Sequence, residues 1–391
     1  MKNILLRAPL LTKSGYGEHA RQIAKWLFRK AALENNIEIT TELLRWGNTH
    51  WITDTEFDDG LIGEVISSST NKKPFYDVTI QLQLPNEWNP MIGKFNIGIT
   101  AGVETDICNP EWINYINAMD LVIVPSEFTK NTFLKTGDVK TKIVVIPESF
   151  PEEFLSEQNE EISLNLETKF NFLIFGQLTG NGVYNDRKNL PVTVKLLKET
   201  FEGNPDVGII VKTNLGSQTQ IDKNNVSNVL TRLAKEINLN SSGPKVYLLH
   251  GDMTNRELKA LYTDPKIKAL VSLTHGEGFG LTLLEAAACG LPVIATDWSA
   301  HTEFLSKGKY ISVPTKVEQI HPSRIDNQIF MQNAKWANVI ENEAKQRFRK
   351  FYESSQKPLE WASQLQKIIK KDYSIQKIME IYSENLNEYL K

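Results

Sequence analysis

The sequence predicts an α/β protein with two parallel-sheet domains in series. Three observations carry that prediction. The chain has 391 residues, more than one ordinary hydrophobic core serves. Short apolar runs alternate with segments of helical periodicity in both halves. Between the halves, Pro151 to about Lys169 turns acidic and polar (PEEFLSEQNEEISLNLETK), which reads as an interdomain linker. The resulting division is a first domain over 1–160 and a second over 165–370.

In the first half, NILLRAP (Asn3 to Pro9) reads as a strand, SGYG as a loop and EHARQIAKWLFRKAALENN as a helix. Ala20, Ile23, Ala24, Leu27 and Ala31 fall on one face of that helix. The runs IEITTELL, DVTIQLQL, KFNIGITA, DLVIVPS and KIVVIP are each strand-like, and several are apolar enough to lie in a sheet covered on both faces. The second half repeats the scheme. FNFLIFGQL, VGIIVKT, KVYLLHG, IKALVSL and PVIAT read as strands, with helices from about Asn189 to Phe201, near Asn225 to Ile237, and over TNRELKALY. The tail from Trp361 is helical and amphipathic. Two such domains would leave an interdomain cleft outside the carboxyl ends of their strands.

Composition bounds the function. Hydrophobic residues make up 41 % and charged residues 23 %, as in ordinary soluble domains. The formal net charge is −3, with 15 basic and 18 acidic residues up to Phe150 and 29 of each beyond. Neither half is a basic module, which argues against a dedicated nucleic-acid binder. Cys108 and Cys289 suggest neither a disulfide framework nor a metal cluster, so a reducing cytoplasm is expected. The apolar part of MKNILLRAPLL is too short for a secretory signal, and no run approaches a membrane span. Arg21, Lys25 and Arg29 follow one another at i,i+4 spacing on the first helix. Such a stripe is ordinarily a solvated face; it leaves open a peripheral contact with anionic lipid at the inner face of a membrane, or with a polyanion.

The most informative stretch is THGEGFGLTLLEAAACGLPVIAT, Thr274 to Thr296. After the strand IKALVSL, Gly276, Gly278 and Gly280 form a loop that can turn sharply and admit a ligand close to the backbone. A helix from about Leu281 follows and stops at Gly290, with Pro292 beyond. Its first amides point into the loop, where a phosphate or a sugar hydroxyl can be held. Glu277 precedes those amides and Glu285 lies about one turn inside, so both can face one ligand. Spacing alone would also fit an ordinary strand-loop-helix unit with solvated glutamates.

This run resembles the Glu-x7-Glu segment of the retaining, GT-B-type nucleotide-sugar glycosyltransferases of family 4. The resemblance implies a GT-B fold, two Rossmann-like domains about a cleft, with the donor in the second and a C-terminal helix, here about 373–391, that completes the first. It implies that Glu277 contacts the transferred sugar and that Glu285 accepts hydrogen bonds from the nucleotide ribose, a vicinal diol suited to a carboxylate. Gly278, Phe279, Gly280 and Leu281 would hold the donor phosphates. In LTGNGVYNDRKNL (Leu178 to Leu190), Arg187 and Lys188 stand before a helix, where two cations and the helix N-terminus can converge on a diphosphate. The family places such a lysine on the leaving diphosphate, a role carried to Lys188 with Arg187 as helper. The chain departs from many relatives at Gln177, where an arginine is common.

Ser14, Gly15 and Gly17 match a Ser-Gly-x-Gly loop that in the family places the acceptor or the donor phosphates. Glu104, in GVETD, resembles a Glu-Thr-Asp loop of the acceptor side. Lys212, His250 and His275 end strands, where a surface lysine and structural histidines are the simpler readings. With no Asp-x-Asp in a donor loop and no clustered metal ligands, the expected chemistry needs neither metal nor cofactor. The donor is a nucleotide diphospho-sugar, and the acceptor is a glycan, a lipid-linked saccharide, modified-base DNA or another hydroxyl compound. No obligate protein partner is evident. The alternatives are a nucleotide-cofactor-dependent oxidoreductase, suggested by GYGEHA read as a dinucleotide fingerprint, and a catalytically silent GT-B binding module.

Overall fold

The computed structural model describes residues 1–34, 36–158, 160–179, 182–237 and 243–390. In order these form β1 (Lys2–Ala8), α1 (Gly15–Glu34), β2 (Ile37–Leu43), α2 (Leu61–Ser68), β3 (Tyr76–Leu82), β4 (Gly93–Ile99), α3 (Trp112–Ala118), β5 (Leu121–Val124), α4 (Glu127–Thr136) and β6 (Ile143–Val145). Then follow β7 (Phe170–Phe175), α5 (Leu190–Thr200), β8 (Val207–Lys212), α6 (Gln220–Glu236), β9 (Lys245–Leu249), α7 (Asn255–Thr263), β10 (Ile267–Ser272), α8 (Leu281–Ala288), β11 (Val293–Thr296), α9 (His301–Leu305) and β12 (Ile311–Val313). The chain ends with β13 (Thr315–Gln319), β14 (Lys335–Val339), α10 (Glu341–Glu353), α11 (Gln356–Asp372) and α12 (Ile375–Leu390).

It divides into two compact units. Unit 1 comprises Met1–Ser149, Asn327–Met331 and the segment from Ile375 onward; unit 2 comprises Phe150–Asp326 and Gln332–Ser374. Unit 1 has a six-stranded sheet ordered β2-β1-β3-β4-β5-β6, parallel throughout. Ile4, Leu6 and Ala8 of β1 pack with Val78, Ile80, Ile97 and Ile99, and Ala20, Ile23, Ala24 and Leu27 of α1 close over them. The apolar stripe of α12 (Ile378, Tyr382, Leu386, Leu390) joins the same core. Trp26 Nε1 donates to Ser383 Oγ at 2.9 Å and Lys30 Nζ to Asn387 Oδ1 at 2.8 Å, fixing α12 in register along α1.

Unit 2 has a second six-stranded parallel sheet, ordered β12-β11-β10-β7-β8-β9. Successive strand residues point to opposite faces. Accordingly, Phe172, Ile174, Ala269 and Val271 pack toward α5 and α10, whereas Leu173 and Leu270 pack toward α8 and α11. This burial on both faces is why these strands read as continuous apolar runs.

Three features differ from the sequence reading. The division falls at Ser149/Phe150 rather than near residue 160, because Phe150 and Phe154 are buried in the core of unit 2. The acidic run therefore begins as part of that unit, with Phe154 edge-on to Tyr262 at 6.2 Å. The basic stripe on α1 is solvated only at Arg29. Arg21 is 3 % exposed and donates to the Leu10 and Thr12 carbonyls and to Glu18, while Lys25 pairs with Asp58 at 2.5 Å. Arg29 reaches Met379 Sδ at 3.6 Å. Last, β13 and β14 form an antiparallel hairpin that no sequence pattern announced. No described helix is long and apolar enough to cross a membrane.

Leu386 is fully buried between α12 and the sheet of unit 1. Leu386→Ala should lower the unfolding free energy of unit 1 by about 2–5 kcal/mol, read as a lower urea midpoint for the transition that unit 1 reports. An unchanged midpoint would show that α12 contributes nothing to that core.

Candidate active site

In unit 2, β7 and β10 are neighbours, and the chain leaves the sheet in opposite directions on their two sides. Loops at the carboxyl ends of such a pair border the crevice where parallel sheets hold ligands. The loop after β7 runs to α5; the loop after β10 runs to α8. They are tied by backbone: His275 N–H donates to Arg187 O at 3.0 Å, and Asn189 Nδ2 to Leu273 O at 3.0 Å.

Asp186 builds the first loop. Fully buried, it accepts the Thr179 amide and hydroxyl at 2.9 and 2.8 Å with one oxygen. With the other it accepts the Leu190 amide at 2.9 Å, inside the first turn of α5. Asn189 adopts a left-handed conformation at φ 55°. This turn presents Arg187 and Lys188 toward the second loop. A Cβ on Gly176 would lie 3.3 Å from Lys188 Cγ, so the glycine ending β7 makes room for the lysine stem. Gly180 and Asn181, in the same run, lie outside the described residues.

Lys188 Nζ bonds both carboxylate oxygens of Glu277 at 2.8 Å, and Arg187 Nη1 lies 3.6 Å from Oε2. Glu277 is 6 % exposed. Burial by itself raises a carboxyl pKa, but the Lys188 and Arg187 charges and the Lys188 hydrogen bond outweigh it and hold Glu277 below the usual range. Its backbone is braced too: Glu277 N–H donates to Ser299 Oγ at 2.9 Å, and Ala300 N–H to Glu277 O at 3.3 Å. Ser299, at φ 82°, also contacts His301 Nδ1 at 3.3 Å, and His301 Nε2 lies 2.8 Å from Thr296 O. Burial lowers the His301 pKa, leaving a neutral ring in this cluster.

Gly280 sits at φ 104° before α8, and a Cβ there would approach His301 Cβ to 3.0 Å. Both conformation and space therefore require glycine. Phe279 is 5 % exposed and packs near Phe304 and Tyr373 at 5.5 and 6.5 Å, so its side chain belongs to the core. What Gly278, Phe279, Gly280 and Leu281 offer a ligand is backbone at a helix start.

Glu285, inside α8 and 7 % exposed, accepts the hydroxyl of fully buried Tyr262 at 2.9 Å through Oε2. Burial, then the Glu285 charge, push the Tyr262 phenol well above its ordinary range, so it remains a donor. Burial and Glu285 likewise push the Cys289 thiol up to about 12. The loops thus unite Arg187, Lys188 and Glu277 in one cluster, while Glu285 is held by its own partner.

Unit 1 holds the remaining candidates. Ser14 Oγ accepts the Gly17 amide at 3.0 Å and contacts Thr12 Oγ1 at 2.9 Å, closing the start of α1. A Cβ on Gly17 would lie 2.0 Å from Thr12 O, so that glycine answers to close packing. Gly15 is exposed at the first position of α1, and Glu104 is half-buried in the loop after β4.

Lys212, expected on the surface, is 4 % exposed and donates to the Gly251 carbonyl. His250 pairs with Asp222 at 2.7 Å. His275 stacks on Trp336 with centroids 4.3 Å apart and lies 2.7 Å from Ala337 O, so the β13–β14 hairpin supports the Glu277 loop from outside. Among the described residues, no group of three or more His, Cys, Asp or Glu could hold a metal ion.

Residues 182–346 match the family model described as glycosyl transferases group 1. A probable sucrose-phosphate synthase of Thermosipho melanesiensis is 33 % identical over 104 residues, a match spanning 25 % of this chain and 25 % of that protein. Among solved structures, Anabaena HepE in complex with UDP and glucose superposes with a TM-score of 0.62 at 16 % identity, covering 99 % of this chain and 100 % of that one. The sucrose-phosphate synthase of Thermosynechococcus elongatus gives 0.65 at 13 % identity, covering 100 % and 99 %. The fold is GT-B, with two Rossmann-like parallel sheets.

Lys188→Met should destabilise unit 2 at neutral pH. Removing one partner of a buried pair costs about 3–5 kcal/mol; the loss here should be smaller, because Lys188 is partly exposed and Arg187 remains. The depressed Glu277 pKa fixes the sign. The pair's contribution is fully present above the unfolded carboxyl pKa and is lost as pH falls through the folded one. Urea unfolding of wild type and variant should therefore converge in acid. A constant difference from neutral to acid pH would show that the pair is not the cause.

Proposed function

We propose that the chain is a retaining glycosyltransferase that moves a hexosyl or pentosyl unit from a nucleotide diphospho-sugar to an acceptor hydroxyl. The donor binds unit 2 and the acceptor binds unit 1. The observation that carries this reading is the convergence of Lys188, Arg187 and Glu277 beside the N-terminus of α8, with Glu285 about one turn inside that helix. The group 1 match over 182–346 supports it. UDP-glucose is the donor to test first, since UDP and glucose occupy the HepE structure. A cytoplasmic location fits an enzyme that draws on soluble nucleotide sugars.

In the reaction, the bond between the anomeric carbon and the phosphate oxygen breaks, leaving oxocarbenium character on the sugar. Lys188, Arg187 and the first amides of α8 stabilise the charge gathering on the diphosphate. As Lys188 turns to the phosphate, Glu277 is released to accept hydrogen bonds from the sugar hydroxyls. Glu285, held by Tyr262, accepts from the ribose diol. The acceptor hydroxyl attacks from the face the phosphate leaves, and its proton passes to the departing phosphate oxygen. That route keeps the anomeric configuration and needs neither a protein base nor a metal.

Glu285→Ala should weaken donor binding roughly ten- to a hundred-fold, the value of one hydrogen bond to a charged group. Glu277→Ala should instead lower kcat more than donor affinity. Calorimetry with UDP-glucose and initial rates separate the two, and unchanged donor affinity in a folded Glu285→Ala protein would remove the ribose role.

Transfer should also survive EDTA. Activity lost to the chelator and restored by magnesium or manganese would refute the assignment of charge neutralisation to Lys188 and Arg187.

A further inference from the structure

Unit 1 carries an aromatic pair at the carboxyl edge of its sheet that the chemistry above leaves without a task. Tyr16, near the start of α1, stacks on Trp46 with ring centroids 3.8 Å apart and planes 19° apart. Tyr16 is pinned: its hydroxyl lies 3.0 Å from Thr100 Oγ1 and accepts the Ala101 amide at 3.0 Å. Trp46 is only half-buried, and its indole N–H donates to no acceptor among the described residues.

Trp46 stands in the long segment between β2 and α2, residues 44–60. Segments of that length without regular structure are uncommon in compact domains and are frequently functional. This one is anchored. Ile52 N–H donates to Leu11 O at 2.7 Å, Lys13 N–H to His50 O at 3.3 Å, Trp51 bridges to Thr12, and Asp58 pairs with Lys25. Such anchoring fixes the indole against Tyr16.

The surroundings of the pair select a ligand chemistry. Burial raises the Tyr16 phenol, and the charges of Glu104 and Glu148 add to it. Across 44–60, Arg45 stands against Asp54, Glu56 and Asp59, with Asp58 already paired to Lys25. An aromatic face carries negative quadrupole charge and attracts weakly positive C–H groups. A pyranose ring offers an apolar C–H face rimmed by hydroxyls, which would meet the indole face, the indole N–H and nearby carboxylates together. A phosphodiester or lipid pyrophosphate would meet the same carboxylates with repulsion.

We propose that Trp46, backed by Tyr16, is the stacking platform for a pyranose ring of the acceptor, and that the acceptor end bound here is an uncharged saccharide. This rests on the glycosyl-transfer reading and narrows its substrate class.

The test uses the full chain with glucose, galactose, N-acetylglucosamine, maltose, cellobiose and lactose as probes, beside a single-stranded oligodeoxynucleotide and vesicles of anionic phospholipid. Saturation-transfer NMR should detect binding of at least one saccharide. W46A should weaken that binding roughly tenfold or more, and W46F should hold it within roughly threefold, as expected for a stacking contact. Affinity for UDP-glucose should be unchanged in both. Hydroxyl-radical footprinting of the wild-type chain should show Trp46 protected by the saccharide, which needs no variant to fold. No saccharide binding, no protection of Trp46, equal binding by folded W46A, or W46-dependent binding of the oligonucleotide or vesicles instead would each overturn the proposal. If no UDP-, GDP- or ADP-sugar is bound or consumed while a saccharide protects Trp46, the transfer reading fails and Trp46 stands as a saccharide platform without it. If donor turnover proceeds and Trp46 is unprotected, only the platform fails.

Discussion

The two-pronged bond from Lys188 to Glu277 is the interaction on which the candidate site of unit 2 depends. It joins the loops leaving adjacent strands, β7 and β10, and holds a carboxylate in a place that solvent barely reaches. A buried charge without a partner is strongly disfavoured, so the two loops are energetically coupled. Neither can settle far from the other without stranding Glu277. The backbone bond from His275 to Arg187 and the side-chain bond from Asn189 to Leu273 set the same distance from neutral groups. With the loops fixed by these neutral bonds before a ligand arrives, only the side-chain pairing of Lys188 and Glu277 is left to rearrange.

Much of this was legible in the sequence because it is local. The strand, the glycines and the helix around Glu277 and Glu285 occupy one continuous run, and Asp186 to Asn189 lie within a few residues of a helix start. Ser299, His301 and Tyr262 were not legible. They reach the loop from other elements, and a serine in a turn, a histidine in a five-residue helix or a tyrosine in an apolar pattern carries no local mark of its partner. Trp336 and the β13–β14 hairpin escaped for another reason. The outer strand is mostly exposed and charged, TKVEQ, so it lacks the apolar alternation by which strands are read.

Unit 1 teaches the limit of face-based reading. The i,i+4 spacing of Arg21, Lys25 and Arg29 does place them along one side of α1, but spacing says nothing of what covers that side. Here the loop after β1 brings the Leu10 and Thr12 carbonyls to Arg21, and the segment before α2 brings Asp58 to Lys25. Phe150 and Phe154 show the converse. Two aromatics amid glutamates look like linker residues by composition, yet each finds a pocket in the core of unit 2. Average polarity of a window is a poor guide where single large side chains decide the packing.

The two glutamates of the donor loop are held in physically different ways, and the difference matters for how the site works. Glu285 is paired with a phenol that is fully buried and kept protonated by burial and by the carboxylate itself. That donor sits in the core of unit 2 and holds Glu285 Oε2 from the side of the protein interior. Glu277 is paired with a flexible ammonium that an incoming diphosphate attracts at least as strongly, since the phosphate offers more charge. The first pair is fixed and the second exchangeable. Under the proposed transfer, a ligand without the diphosphate would not draw Lys188 away, so Glu277 would stay occupied and the sugar position closed to free sugar. Recognition of the sugar would then be coupled to recognition of the phosphate that must leave with the nucleotide.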